Sequence, residues 1–181
     1  VGAHVPFRAG EYRIVQALHP RRSLDDCHTL HVNLDFRVAA PDAGTKGLHR
    51  FWIGAMPASA AVEVLISAES VSLRSGETIE VLAALKPVQW HNLQLTLDLK
   101  RRTVSGQIGI PGSTTEFAGK LFSPGWTGTM GLVVLDSLGQ QETKLPAIWF
   151  DNLGVQDAAI APVSTELPTP VIAPNGLDPA A

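Results

Sequence analysis

Cysteine is almost absent from this sequence, because Cys27 stands alone among 181 residues. A single cysteine excludes a disulfide within the chain. A catalytic thiol would need a positioned base beside it, and the adjacent His28 would point to the opposite face of an extended strand. We therefore expect Cys27 to be an inert thiol.

Charge and long apolar runs are also scarce. Charged residues make up 17% of the chain, the formal net charge is −3 and the pI is near 6.1, so there is no basic field for nucleic acid. No stretch approaches the roughly 18 uninterrupted apolar residues of a membrane helix. The sequence thus predicts neither a nucleic-acid partner nor a membrane-spanning segment.

Helical periodicity is missing as well, and alternation of apolar and polar residues takes its place. In Thr29–Val38 every second residue is apolar, which is the pattern of a strand with one buried and one wet face. The same alternation runs through Trp90–Leu99, turns at Lys100–Arg102 and returns to Ile110. This pattern predicts an antiparallel hairpin around which the other strands stack.

The remaining segments read as further short strands. They include one over residues 11–18 that is closed by His19-Pro20, and a last one over Pro146–Val155. We count about ten to twelve strands, and the gaps between them are too short for the helical crossovers of an α/β fold. The sequence predicts an all-β, antiparallel sandwich or barrel.

The composition changes at Ala158, after which prolines become frequent and charge is low. Proline removes a backbone donor and fixes φ, so this segment is expected to be extended. We place a β-sandwich domain at 1–157 and an extended Pro-rich C-terminal arm at 158–181. The arm residues expected to contact a partner are Pro168, Pro170, Val171 and Ile172.

The first residue is Val1 rather than methionine. We expect either an exported chain, periplasmic or extracellular, from which a signal segment has been removed, or an excised piece of a longer protein.

Two stretches resemble the laminin-G-like modules of bacterial envelope proteins, within the concanavalin A-like lectin/glucanase superfamily. The first is a tryptophan followed by an alternating apolar run, from Trp90 to Leu99, and then Thr103-Val104-Ser105-Gly106. The second is Pro146–Val155, whose Asp151-Asn152-Leu153-Gly154-Val155 resembles the closing strand of those modules. The resemblance implies a jelly-roll sandwich of two antiparallel sheets, one of them concave. Functions in the superfamily range from glycan binding to protein adhesion and glycoside hydrolysis, and the fold does not choose among them.

Glycoside hydrolysis needs two carboxylates that face one cleft, and the catalytic members of the superfamily carry theirs as Glu-x-Asp-x-x-Glu along one strand. The acids of this chain do not fit that pattern. An apolar residue separates Glu63 from Glu69 on their face, Glu77 and Glu80 fall on opposite faces, and Glu116 is isolated. We therefore expect no enzyme activity.

Six histidines are scattered without the spacing of a metal site, and we expect neither a metal nor another cofactor. Laminin-G-like modules can bind calcium through oxygen ligands, and Asp151 and Asn152 could contribute two. The alternative, which we favour, is that both residues cap the last strand and bond neighbouring backbone.

A glycan site would combine aromatic platforms with planar polar groups. Trp52 and Trp126 are the candidate platforms, and His31, Asn33 and Asp35 on one wet strand face are the candidate polar partners. The competing interpretation is that both tryptophans pack against the other sheet or cover an edge.

The edges of an open sandwich can accept another strand or a proline-rich arm. We therefore expect a non-catalytic binding module, namely a structural or assembly subunit that docks onto a larger protein complex through its sandwich surface and C-terminal arm. A carbohydrate-binding, lectin-like module is the alternative, and a glycoside hydrolase is a distant third.

Overall fold

A computed structural model describes residues 3–5, 13–23, 28–55, 59–138 and 143–161. Cys27 and the four arm residues expected to contact a partner, Pro168, Pro170, Val171 and Ile172, lie outside this range. The regular structure of the described residues consists of twelve strands. None of the described segments forms an apolar helix long enough to cross a membrane.

The strands in chain order are β1 (Ala3–Val5), β2 (Arg13–Ser23), β3 (Thr29–Val38), β4 (Leu48–Ala55), β5 (Ser59–Ile66), β6 (Ser70–Ser75), β7 (Thr78–Ala84), β8 (Trp90–Asp98), β9 (Thr103–Ile110), β10 (Ser113–Leu121), β11 (Thr129–Leu138) and β12 (Ile148–Gln156).

These strands form two six-stranded sheets. Sheet A has the order β1-β12-β3-β8-β9-β10, and sheet B has the order β2-β11-β4-β5-β6-β7. Neighbouring strands in both sheets are antiparallel. The prediction of an all-β, antiparallel jelly-roll sandwich is confirmed.

The core lies between the sheets and follows the alternation of the sequence. On β3, every second residue from Leu30 to Val38 is at most 2% exposed, and Leu93, Leu95 and Leu97 continue this layer on β8. Sheet B contributes Phe51 and the apolar side chains around it to the same core. Each such residue stabilises the fold by about 1.5–3 kcal/mol through burial. Because side chains alternate along a strand, the burial of these residues places the residues between them on the outer side of the sheet.

The prediction that a short strand over residues 11–18 ends at Leu18 is wrong, because β2 continues through Pro20 to Ser23. This strand is the edge of sheet B, and its register against β11 shifts between Ala17 and Arg22. A proline is tolerated at such an irregularity on an edge strand, where its nitrogen owes no hydrogen bond to a neighbouring strand.

Candidate functional site

The outward side of sheet A carries a continuous array of polar side chains on its central strands. Asn33 and Asp35 on β3 lie opposite Gln94 and Asn92 on β8, and Asp35 also lies opposite Asp151 on β12. We call this surface the polar face. It consists of His31, Asn33, Asp35 and Arg37 on β3, Trp90, Asn92, Gln94 and Thr96 on β8, Gln107 on β9, and Trp149, Asp151 and Asn152 on β12.

Asp35 is the centre of a hydrogen-bond network on the polar face. Its Oδ1 accepts a hydrogen from Asn92 Nδ2, and its Oδ2 accepts one from Asn152 Nδ2 at 2.6 Å. Asn92 Nδ2 also donates to Asn33 Oδ1 at 2.8 Å, and Asn33 Nδ2 donates to the backbone oxygen of Asn152 at 2.9 Å. Hydrogen bonds to an ionised acceptor are stronger than neutral ones, so these amides are held in fixed orientations.

A bulge in β12 delivers Asn152 to this network. The register between β12 and β3 shifts between Asp151 and Gly154. Asn152 has a φ of 50°, in the left-handed region that asparagine adopts more readily than most residues. Asp151 Oδ1 accepts the backbone N–H of Asn152 at 2.9 Å. This is a bond to neighbouring backbone, of the kind that we expected for Asp151 in place of calcium binding. In the described part of the chain, no group of three or more His, Cys, Asp or Glu side chains is placed to hold a metal ion.

Gln94 extends the network toward β9. Gln107 Nε2 donates to Gln94 Oε1 at 2.8 Å, and Gln94 Nε2 donates to the backbone oxygen of Ala161 at 2.8 Å. The chain that leaves β12 therefore passes back over sheet A as far as β8. The backbone oxygen of Ala161, in the segment assigned to an arm, thus contacts the chain's own sandwich.

Arg37 lies at one end of the polar face between two tryptophans. Its guanidinium carbon is 4.4 Å from the ring centre of Trp149 and 5.4 Å from that of Trp90. Each such contact between a cation and an aromatic face stabilises by about 0.5–2 kcal/mol. Trp90 is 40% exposed, so part of its ring remains open to solvent beside the network.

The five residues predicted for a glycan site do not share one surface. His31, Asn33 and Asp35 lie on the polar face, with His31 Nδ1 3.1 Å from Thr96 Oγ1. Trp52 lies on the outer side of sheet B and is only 3% exposed. Trp126, also 3% exposed, packs in the core with its ring centre 5.1 Å from that of Phe122.

The burial of Trp52 has a specific cause. Its Nε1 donates to Asp136 Oδ2 at 3.3 Å, and Arg50 lies over its ring at 5.9 Å. Arg50 in turn bonds Asp136 at 2.7 Å and Glu63 at 3.2 Å. The hydrogen bond to Asp136 raises the pKa of Arg50 above its usual value. A network of charged side chains thus covers the ring, and Trp52 is not an exposed platform.

The sequence interpretation missed Arg37, Trp90, Asn92, Asn152 and Trp149 as parts of this site. The alternation does place Trp90 and Asn92 on the wet side of their strand. It cannot show that β8 and β12 flank β3, because Asn92 and Asn152 are 57 and 117 residues away from Asp35 in the chain.

No protein-family model matches the chain, and no curated protein matches its sequence. Solved structures match its fold. A sialidase is 11% identical, with a TM-score of 0.59, over 83% of this chain and 15% of its own. The binding domain of Paraclostridial Mosquitocidal Protein 1 is 12% identical, with a TM-score of 0.57, over 88% of this chain and 43% of its own. A variant of the alginate lyase Aly36B in complex with an alginate trisaccharide is 13% identical, with a TM-score of 0.50, over 87% and 82% of the two chains.

At these identities the likeness shows the fold alone. The matched parts of these proteins are β-sandwich jelly rolls, consistent with a concanavalin A-like fold. This chain spans only 15% of the sialidase and 43% of the toxin binding domain. The narrower resemblance to laminin-G-like modules stays a prediction.

Proposed function

We propose that the chain is a non-catalytic module that binds a glycan through the polar face. The observation that carries this proposal is the network in which Asn33, Asn92 and Asn152 are fixed around the Asp35 carboxylate. A sugar hydroxyl both donates and accepts hydrogen bonds, and amide and carboxylate groups offer it both kinds of partner. The exposed part of the Trp90 ring adds an apolar surface against which a sugar ring can pack.

The solved structures of the same fold support a role in carbohydrate binding. They include a sialidase, of which this chain spans 15%, and a variant of an alginate lyase in complex with an alginate trisaccharide. The binding domain of Paraclostridial Mosquitocidal Protein 1 has the same fold. We also propose that the chain acts in the periplasm or outside the cell.

We infer that the two acids on the polar face serve binding rather than catalysis. Asp35 and Asp151 lie directly opposite each other on β3 and β12. Both oxygens of Asp35 accept amide hydrogens, and Asp151 accepts the backbone N–H of Asn152. Each oxygen of Asp35 keeps a lone pair that can accept a further hydrogen bond from a sugar hydroxyl. A general acid or base must instead take up and release a proton, and the amide hydrogens held by both oxygens of Asp35 oppose that role.

The test is an array of polysaccharides probed with the whole chain and three variants. Trp90→Ala and Asn33→Ala should weaken binding by about tenfold, which corresponds to the loss of one net hydrogen bond or a similar contact. Ser72→Ala, on the outer side of sheet B, is the matched control and should bind normally. The absence of binding to every polysaccharide, or equal losses in all three variants, would overturn the proposal.

Protein assembly is the second candidate, and the edge of sheet B favours it. Ile79 and Val81 on β7 are 53% and 64% exposed, and β7 is an edge strand. Exposed apolar residues on an edge strand promote pairing with another chain. Sedimentation at increasing concentration should then show a larger species that Val81→Lys dissociates, and a monomer throughout would remove this support.

A further inference from the structure

Arg37 occupies a place on the polar face that the hydrogen-bond network does not explain. Strand pairing puts Trp90 directly opposite it on one side and Trp149 on the other. The two rings therefore hold the guanidinium from both sides, at 5.4 Å and 4.4 Å. A long, flexible side chain is fixed in this way at the end of the polar face, beside the amide network.

Among the described residues, Arg37 has no acidic partner. Three other arginines each contact a carboxylate: Arg50 contacts Asp136, Arg74 contacts Glu63 and Arg101 contacts Asp98. The Nε of Arg37 is buried and has no hydrogen-bond partner. A buried donor without an acceptor lowers stability, and no hydrogen bond among the described residues offsets that cost.

We propose that Arg37 binds the carboxylate of an acidic sugar, so that the polar face prefers acidic glycans to neutral ones. This inference rests on the proposed glycan-binding function and names its ligand class. The planar guanidinium matches a carboxylate in a two-bond arrangement that an ammonium group does not reproduce. The tryptophans fix its plane in advance, so little freedom is lost when the ligand binds.

The spacing on β3 fits a single sugar residue. Arg37 and Asp35 are two residues apart on the same side of the strand, or about 7 Å, which is close to the width of a sugar ring. One acidic sugar can therefore place hydroxyl groups at the amide network and its carboxylate at Arg37.

The charges of the face fix the orientation of such a ligand. Asp35 and Asp151 would repel a carboxylate placed against them, while Arg37 attracts it. The acidic group of the ligand thus has one favourable position, and its hydroxyl groups take the other end.

The experiment uses three acidic polysaccharides, polygalacturonate, alginate and hyaluronate, each paired with its carboxyl-reduced form. Isothermal titration calorimetry compares the whole chain with Arg37→Gln, Arg37→Lys and Arg101→Gln. At least one acidic polymer should bind about 10- to 100-fold more tightly than its reduced form, the range for a charged hydrogen bond. Arg37→Gln should abolish that preference and Arg37→Lys should reduce it. Arg101→Gln makes the same change in net charge at a side chain that is 82% exposed, and it should keep the preference.

Three outcomes would overturn the inference: no acidic polymer binds, acidic and reduced forms bind equally, or Arg37→Gln weakens both forms alike. In each of them, binding of any neutral polymer would leave the proposed function standing, whereas no binding at all would remove both. Circular dichroism and melting temperatures verify that the variants fold. If Arg37→Gln does not fold, Arg37→Lys tests the inference instead: an unchanged preference for the acidic polymer would overturn it.

Discussion

At the scale of single residues, Val88 is held in a conformation that its side chain disfavours. Its φ of 66° is unusual for a β-branched residue. The N–H of Gln89 donates to the oxygen of Lys86 at 3.3 Å, and Pro87 precedes Val88, which makes Val88 the third residue of a type II turn. Glycine is preferred at that position, and a non-glycine residue there costs roughly 1–3 kcal/mol.

Val88→Gly should therefore stabilise the protein. Val88 is 60% exposed, so its side chain contributes little packing. We expect the free energy of unfolding to rise by about 1 kcal/mol, since relief of strain exceeds the entropy that glycine adds to the unfolded chain. Urea denaturation measures the change, and Val88→Ala, which keeps the Cβ atom, should give a smaller gain. A less stable Val88→Gly would show that the valine side chain makes a stabilising contact.

At the scale of elements, the pairing of β8 with β9 depends on Gly106. A Cβ atom at this position would lie 2.1 Å from the backbone oxygen of Gln94, a distance that backbone cannot relieve without moving a strand. Gly106 ends the Thr103–Gly106 stretch that carries part of the family resemblance. The close approach of β8 and β9 explains why a glycine stands at the end of that stretch.

Gly106→Ala should destabilise the sandwich. Forcing one extra carbon into a well-packed site costs typically about 1–3 kcal/mol, and thermal unfolding should show this loss as a lower melting temperature. Gly125→Ala is the matched control, because no atom lies within 4 Å of a Cβ atom at that position and its backbone is not left-handed. Its effect should stay within about 0.5 kcal/mol. Equal effects of the two substitutions would refute the packing argument.

Elements with a regular alternation could be predicted from the sequence, and irregular ones could not. The bounds of β3 match the predicted Thr29–Val38 because its inward residues are all apolar. The end of β2 was missed because an edge strand tolerates Pro20, which the sequence rules treat as a stop. The contribution of Asn152 was missed for a similar reason: a bulge changes which residues point outward, and nothing local in the sequence marks it.

At the scale of the whole molecule, two buried histidines link stability to pH. His49 is fully buried, with its Nε2 2.6 Å from the oxygen of Pro146, and burial lowers its pKa from 6.5 to about 4. Burial also lowers the pKa of His91. The N–H of Lys86 donates to Nε2 of His91 at 3.1 Å, so protonation would also break that hydrogen bond.

The protein should lose stability as the pH falls from about 6.5 toward 4. Well above pH 6.5 both histidines are neutral in the folded and the unfolded chain, and they contribute no pH dependence. Below it the unfolded chain takes up protons that the folded chain resists, so the free energy of unfolding falls by up to about 1.4 kcal/mol per pH unit for His49, and His91 contributes in the same direction. Urea denaturation between pH 7.5 and 4.5 measures this slope. His49→Leu should flatten it, and a slope equal to that of the unmodified chain would contradict the assignment.

The architecture of the whole molecule could be predicted because many independent positions report the same two-layer packing. The site depends instead on a few contacts between residues far apart in the chain. Trp52 illustrates the difference: the alternation predicts that it points away from the core, but only the strand order shows Arg50 and Asp136 covering it.

The contact between Gln94 and Ala161 has a consequence for any titration of this protein. The backbone oxygen of Ala161 is a tethered competitor for Gln94, and a tether gives it an effective concentration in the millimolar range. A dissolved molecule gains access to Gln94 only in the fraction of the population where this contact is broken, and its apparent affinity is reduced by that fraction. The affinity measured with the whole chain is thus a lower bound on the affinity of the uncovered surface.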